Sequence, residues 1–396
     1  MIKDIELLYE KELLKSFNSF EIPKINDDIN FWMIRTKQGF FYDEFVKDSF
    51  IALAWNIIDN RTDFTNTDIL SKTIKSYYPE VKRPKTVINK CMHFILDVKE
   101  GDIILIPSKG TSYISIAIAG PYYEDTTKNY DTEKESISEI ENGVSKINQI
   151  KCPYKKRRHI SIIKTLPSAL INYHLYRSLT SYHGICNLKE YATAILNHAY
   201  PCYFYNDDLH LTFNIRTTDA INIFDLSSFL NSTSQLFFNH LHVPSENIKA
   251  TINLNSPGDI SLWIIDAYHI IQSNAIPLLI MLMILTGGSI STSSFDIETP
   301  SILKTIKDIL TIKTDIEIKK EELKAAKNEN KSKELDNTLK KIAIKKQLDE
   351  AGYNFDDLES TYDSVANSVD KLKISSNVSA SHNNSENEQS NETNES

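Results

Sequence analysis

Cysteine is scarce in this chain: four in 396 residues, Cys91, Cys152, Cys186 and Cys202, with no CxxC pair among them. A disulfide framework or a structural zinc site needs closer spacing, so neither is expected, and a reducing, cytoplasmic setting is. The signatures of several enzyme classes are missing as well. There is no P-loop, no HExxH, no GxSxG and no PD-x(n)-ExK arrangement in a strand context. Asp207, Asp208, His210, His240 and His242 invite a metal or acid–base reading. However, His210 lies in an alternating strand, and His240 and His242 are too close for one helical face. No metal, cofactor or catalytic residue is therefore expected. Basic excess is absent too: 44 Lys and Arg against 53 Asp and Glu give a net charge of −9, unlike a general nucleic-acid coat protein. The opening MIKDIELLYEKELL is a charged amphipathic helix, without the apolar run of a signal peptide.

What is present is ordinary in bulk, with 41% apolar and 24% charged residues, and long enough for two or three domains. The informative stretch is Lys99 to Tyr123. Glu100-Gly101-Asp102 signals a turn, Ile103 to Ile106 a short strand, and Thr111 to Ala119 a longer one. Alternation puts Ile114, Ile116 and Ile118 on one face of that strand and Tyr113, Ser115, Ala117 and Ala119 on the other. The second face is flat, as suits close approach of a helix, a backbone or a planar ligand. Before it come strands at Phe31–Arg35 and Ser49–Trp55 and helices at Ile69–Tyr78 and Lys85–Leu96. Helices at Pro167–Leu179 and Asn187–Asn197 follow it. The expected class is α+β, with a small mixed barrel at the front.

The residues also carry a family pattern. Trp32–Arg35 (WMIR), Phe45, Ile51–Trp55 (IALAW), Phe94, Gly101–Pro107 (GDIILIP), Ile114–Pro121 and Arg157–Ile163 (RRHISII) follow in that order. The series resembles PUA-like domains, the superfamily of EVE and YTH domains and of the DNA-reading heads of McrBC-type and Mrr-type restriction systems. The likeness covers about residues 30–200. It implies a reader that takes a modified base, in several cases a flipped one, in an aromatic pocket. Trp32, Phe41, Trp55, Tyr113 and Tyr122 are the candidate walls, since stacking restores what flipping costs. It also implies a place among bacterial antiviral systems, where a sensor head controls an effector tail.

Residues 124–150 read as a polar insertion with one short helix. Lys151, Lys155, Lys156, Arg157 and Arg158 then put five cations into eight positions, the best candidates for phosphate contacts. Residues 203–258 read as a small β-α-β unit: a strand at Leu209–Ile215, a helix at Ile221–Leu241 and a returning strand at Ile248–Leu254. From Ala267 to Phe295 the chain has no Asp, Glu, Lys or Arg. Within residues 260–295, Ile276, Leu279, Ile280, Leu282 and Ile284 would enter a membrane or a buried oligomer contact. Residues 300–374 carry heptad-like seams, the last running Phe355, Leu358, Tyr362, Val365, Val369 and Leu372. Such seams want a helical partner in the same chain or in another copy, so homo-oligomerisation is expected. Residues 375–396 are too polar to bury anything. Three functions follow as expectations: first a non-catalytic reader of nucleic acid or a modified base, second an inner-membrane-associated effector gated by a nucleotide-like ligand, and behind both a nuclease or other hydrolase subunit.

Overall fold

The computed structural model describes residues 22–142, 150–171, 173–180, 184–215, 220–253, 258–268, 290–292, 295–297, 365, 368–369 and 371–375. The fold is α+β, with seven α-helices among the described residues. The chain divides into two compact units, Lys24–Asn206 and a second holding Asp207–Ser396 with Met1–Pro23.

Strand periodicity organises the first unit. Its mixed sheet contains β2 (Phe31–Ile34), β3 (Phe50–Leu53), β4 (Ile103–Pro107), β5 (Tyr113–Glu124), β6 (Lys156–Pro167) and β7 (Ile185–Asn187), in the order β3-β6-β5-β4-β2-β7. Only β2 and β4 run parallel. Outside this sheet, β1 (Lys24–Ile25) pairs in parallel with β8 (Cys202–Tyr205). Successive residues of β2 enter opposite cores: Trp32 and Ile34 one, Phe31 and Met33 the other. On β5, Ile114 and Ile116 join the second core, while Ala117 and Ala119 join the first, as the alternation predicts. Both faces are therefore covered. The Thr36 hydroxyl, just past β2, donates to the Ala52 carbonyl of β3 at the far end of the strand order. The sheet thus curls into a half-barrel.

The flat face of β5 is met by α1 (Tyr42–Lys47): the Tyr42 hydroxyl and Ser115 Oγ are 2.7 Å apart. Further helices are α2 (Thr67–Tyr77), α3 (Pro84–Met92) and α4 (Tyr130–Glu141). The last is the short helix expected in the insertion, opened by a capping box between Asn129 and Thr132. A π-turn, His93–Asp97, extends α3. After β6 come α5 (Tyr173–Leu179) and α6 (Ala192–Ala199). Gly39 marks a close approach: its φ is 80°, and a Cβ there would lie 2.6 Å from the Ser108 carbonyl carbon.

In the second unit β9 (Asp208–Ile215) leads to α7 (Ile223–Leu241), β10 (Ile248–Asn253) and β11 (Gly258–Ile264). The expected returning strand is present, but it does not lie beside β9. Gly258–Ile264 pairs antiparallel with both and sits between them. Its alternating buried Ile260, Leu262 and Ile264 form the central strand, where the sequence suggests only the approach to an apolar run. A short β14 (Ile374–Ser375) pairs with β9, and a two-stranded ribbon joins β12 (Ile290–Thr292) to β13 (Phe295–Ile297). Val365, Val369 and Leu372 are buried. Beside them Ser368 Oγ lies 3.1 Å from Ser228 Oγ, and Lys371 Nζ 3.0 Å from Asp225 Oδ1. This end of the last seam has a partner in its own chain, α7. The N-terminal helix, the apolar residues Ile276, Leu279, Ile280, Leu282 and Ile284, the earlier seams and the tail from residue 376 lie outside the described residues. Among the described residues no helix is long and apolar enough to cross a membrane.

Candidate functional site

Two residues past β3, Trp55 takes φ 67°, the left-handed region. That conformation costs an L-residue roughly 1–2 kcal/mol and is unusual for a bulky side chain. Two buried charges hold it there. The Glu133 carboxylate on α4 accepts from Trp55 N and Asn56 N, each at 2.7 Å, and from the Tyr78 hydroxyl at 2.8 Å. From the other side Lys156 Nζ donates to the carbonyls of Trp55 (2.7 Å) and Ile58 (2.8 Å). Glu133 is 4% exposed and Lys156 0%. Hydrogen bonds to charged groups contribute about 1.5–3 kcal/mol each, and four reach this turn, which exceeds the backbone cost. Asn56 tightens it further, donating to the carbonyls of Asn129 and Pro153 and accepting from Lys155 N.

The surrounding electrostatics follow from burial. Desolvation pushes the Lys156 ammonium below the usual lysine range, opposed by Cys91, Glu133 and Glu124 nearby. Burial raises the Cys91 thiol to about 11. It also raises the Tyr78 phenol well above its ordinary value, with the Glu133 charge adding to the effect.

The Trp55 ring itself is half-buried at the rim of the first core. Lys90 Nζ, on α3, lies 5.8 Å from its centroid, within cation–π range. A Cβ on Gly184 would sit 3.8 Å from Lys90 Nζ and 3.7 Å from the Arg35 carbonyl oxygen, and Arg35 N donates to the Gly184 carbonyl at 2.8 Å. The ring and the cation therefore share the seam where the sheet curls toward closure. Burial lowers the Lys90 ammonium from its ordinary value.

The other candidate walls each have partners of their own. Trp32 is buried, its Nε1 donating to Asp102 Oδ2 at 2.8 Å. Asp102 also accepts from Asn30 N and Lys99 N, so this indole fixes the turn before β4. Phe41 is 2% exposed and packs edge-on against Tyr154. Tyr113 is 52% exposed, whereas Tyr122 is half-buried and donates to Glu124 at 2.8 Å. These two stand nine residues apart on β5, roughly 30 Å at about 3.3 Å per residue, too far to line one slot.

Lys156, Arg157 and Arg158 open β6, Lys151 and Lys155 lie just before it, and four of the five charges turn to the protein itself. Lys155 pairs with Asp59 (3.0 Å) and Glu124 (3.1 Å). Arg157 pairs with Asp125 (3.0 Å), bonds the carbonyls of Cys152 and Tyr154, and lies over the Phe50 ring. Arg158 donates to the carbonyls of Phe94, Ile95 and Gly120. Lys151 alone of the five is exposed, 3.6 Å from Asp48.

Sequence reasoning missed Glu133, Asn56 and Lys90. Glu133 reads as one more acid on an acidic helix, and nothing local marks it as buried. Lys90 did leave a signal: it falls three residues after Val87, beside the buried stripe of Pro84, Val87, Ile88 and Cys91. Among the described residues no group of three His, Cys, Asp or Glu could hold a metal ion. Compared with known proteins, the chain matches no family model, no characterised protein and no solved structure.

Proposed function

We propose that residues 24–206 are a non-catalytic reader head that takes a nucleobase against the ring of Trp55. On this reading the chain is a sensor of bacterial antiviral defence that signals through its C-terminal half. The observation that carries it is the left-handed Trp55, clamped by Glu133 and Lys156. A tryptophan needed only for packing gains nothing from a costly backbone. A rigid, half-buried ring on an over-determined turn is what a stacking ligand requires, because little ordering cost remains at binding. Base–aromatic stacking contributes about 1–3 kcal/mol per base. The curled mixed sheet supports the PUA-like resemblance, which supplies the ligand class.

A second reading keeps the site and changes the ligand to a small free nucleotide. The internal partners of Lys155, Arg157 and Arg158 favour it, because they take away the row of cations that a polymer backbone would neutralise. Calorimetric titration of the full chain with nucleosides, including 5-methyl and 5-hydroxymethyl deoxycytidine, nucleotides and single-stranded oligonucleotides tests both. Binding that disappears in Trp55→Ala with thermal melting preserved is the expected result. No binding of any base-containing ligand, or a Trp55→Ala chain that no longer melts cooperatively, ends the proposal.

A further inference from the structure

Lys90 differs from the buried and half-buried cations at and just before the start of β6. Lys155 has two carboxylates, Lys156 two carbonyls, Arg157 a carboxylate and two carbonyls, and Arg158 three carbonyls. Lys90 makes no hydrogen bond or ion pair among the described residues, and its ammonium has only the Trp55 ring, at 5.8 Å. An ammonium taken out of water without a partner is costly. An alkyl stem can carry the charge out to solvent, yet this one is directed to the seam between Trp55 and Gly184. Gly184 adds no side chain beside the ammonium, and a Cβ there would sit 3.8 Å from Nζ.

We infer that Lys90 is the anion half of the Trp55 site and that its ligand is a nucleoside phosphate, with the phosphate on the ammonium and the base on the indole. This rests on the nucleobase reading above and names its ligand class. A lysine is a compact point charge that binds phosphate without demanding a fixed fork geometry. The single cation fits one phosphate, and the ring–cation spacing fits one nucleotide, whose base and phosphate are joined through one sugar. The phosphate comes from a free mononucleotide or from the terminal phosphate of an oligonucleotide.

The test uses the full chain and matched probes. Each common nucleoside, and 5-methyl and 5-hydroxymethyl deoxycytidine, is compared by calorimetry with its 5′-monophosphate. A short oligonucleotide with a 5′-phosphate is compared with the same strand ending in a hydroxyl. The expected result is at least tenfold tighter binding of the phosphorylated member of one series, which then identifies the source. That preference falls to near parity in Lys90→Met and survives in Lys90→Arg, with melting temperatures near wild type. Equal binding of nucleoside and monophosphate, or a preference that persists in Lys90→Met, overturns the inference and leaves the nucleobase reading standing. No binding by any probe overturns both. Should Lys90→Met fail to fold, Lys90→Gln with Lys90→Arg makes the same comparison.

Discussion

Glu133 and Lys156 hold opposite ends of one residue: the carboxylate takes the Trp55 N–H at 2.7 Å and the ammonium reaches its carbonyl at 2.7 Å. The two charges come from α4 and β6, so the turn after β3 is fixed by elements that lie far from it in sequence. Burying either charge alone would be expensive. Together they compensate through the peptide between them and through their mutual field.

Removing both charges should therefore cost less than the sum of removing each alone. Glu133→Ala is expected to lower the stability of the full chain by about 3–5 kcal/mol, because it leaves Lys156 uncompensated and two N–H groups without an acceptor. In Glu133→Ala with Lys156→Met the loss should be smaller than the sum of the single changes by at least about 1 kcal/mol. Urea unfolding of the four proteins measures this. Simple additivity would show that the two charges act independently.

Trp55 separates scaffold from platform through its backbone. Glycine adopts φ 67° without strain, so Trp55→Gly should be more stable than Trp55→Ala by about 1 kcal/mol, although it removes more side chain. The half-buried ring should cost both variants less than the 3–5 kcal/mol of a fully buried aromatic. Thermal or urea melting decides. If alanine is tolerated better than glycine, the backbone strain inferred at Trp55 is wrong.

How much was legible follows from how far each partner lies along the chain. The faces of β5 were readable because alternation is local: Ile114 and Ile116 against Ser115, Ala117 and Ala119. Gly101 was readable as a turn for the same reason, and its φ is 89°. The roles of Trp32 and Arg158 were not readable. The indole's partner, Asp102, is 70 residues away, and the guanidinium's carbonyl partners Phe94 and Ile95 are more than 60 away. Five cations in eight positions look like a patch until period-two alternation in β6 turns Lys156 and Arg158 inward. The order β9-β11-β10 was hidden likewise, since pairing between non-neighbouring strands leaves no local mark.

Acid should loosen the first unit through the Lys155 cluster. Burial raises the carboxyls of Asp59 and Glu124, but hydrogen bonds and the Lys155 charge overcome it, and both end below their ordinary values of 3.8 and 4.5. Depressed folded-state values mean that stability is fully present above the unfolded range and lost as pH falls through the folded values. The expected loss begins below about pH 4, and Lys155→Met should make it shallower. Urea midpoints at pH 7, 4 and 3 report it. An unchanged acid slope in Lys155→Met would remove the cluster from the explanation.

The basic run gives the sharpest separation between scaffold and nucleic-acid contact. Arg158→Met leaves the carbonyls of Phe94, Ile95 and Gly120 without their donor, and a buried group stripped of its partner costs about 1–3 kcal/mol. A loss of 3 kcal/mol or more in urea unfolding is expected for Arg158→Met. Arg158→Lys should recover only part of it, because one ammonium cannot span three carbonyls held by a planar fork. Lys151→Ala, at an exposed side chain 3.6 Å from Asp48, should change stability by less than about 0.5 kcal/mol. If Arg158→Met instead keeps its stability and loses only oligonucleotide binding with a reduced salt slope, the guanidinium meets phosphate and its internal bonds are secondary.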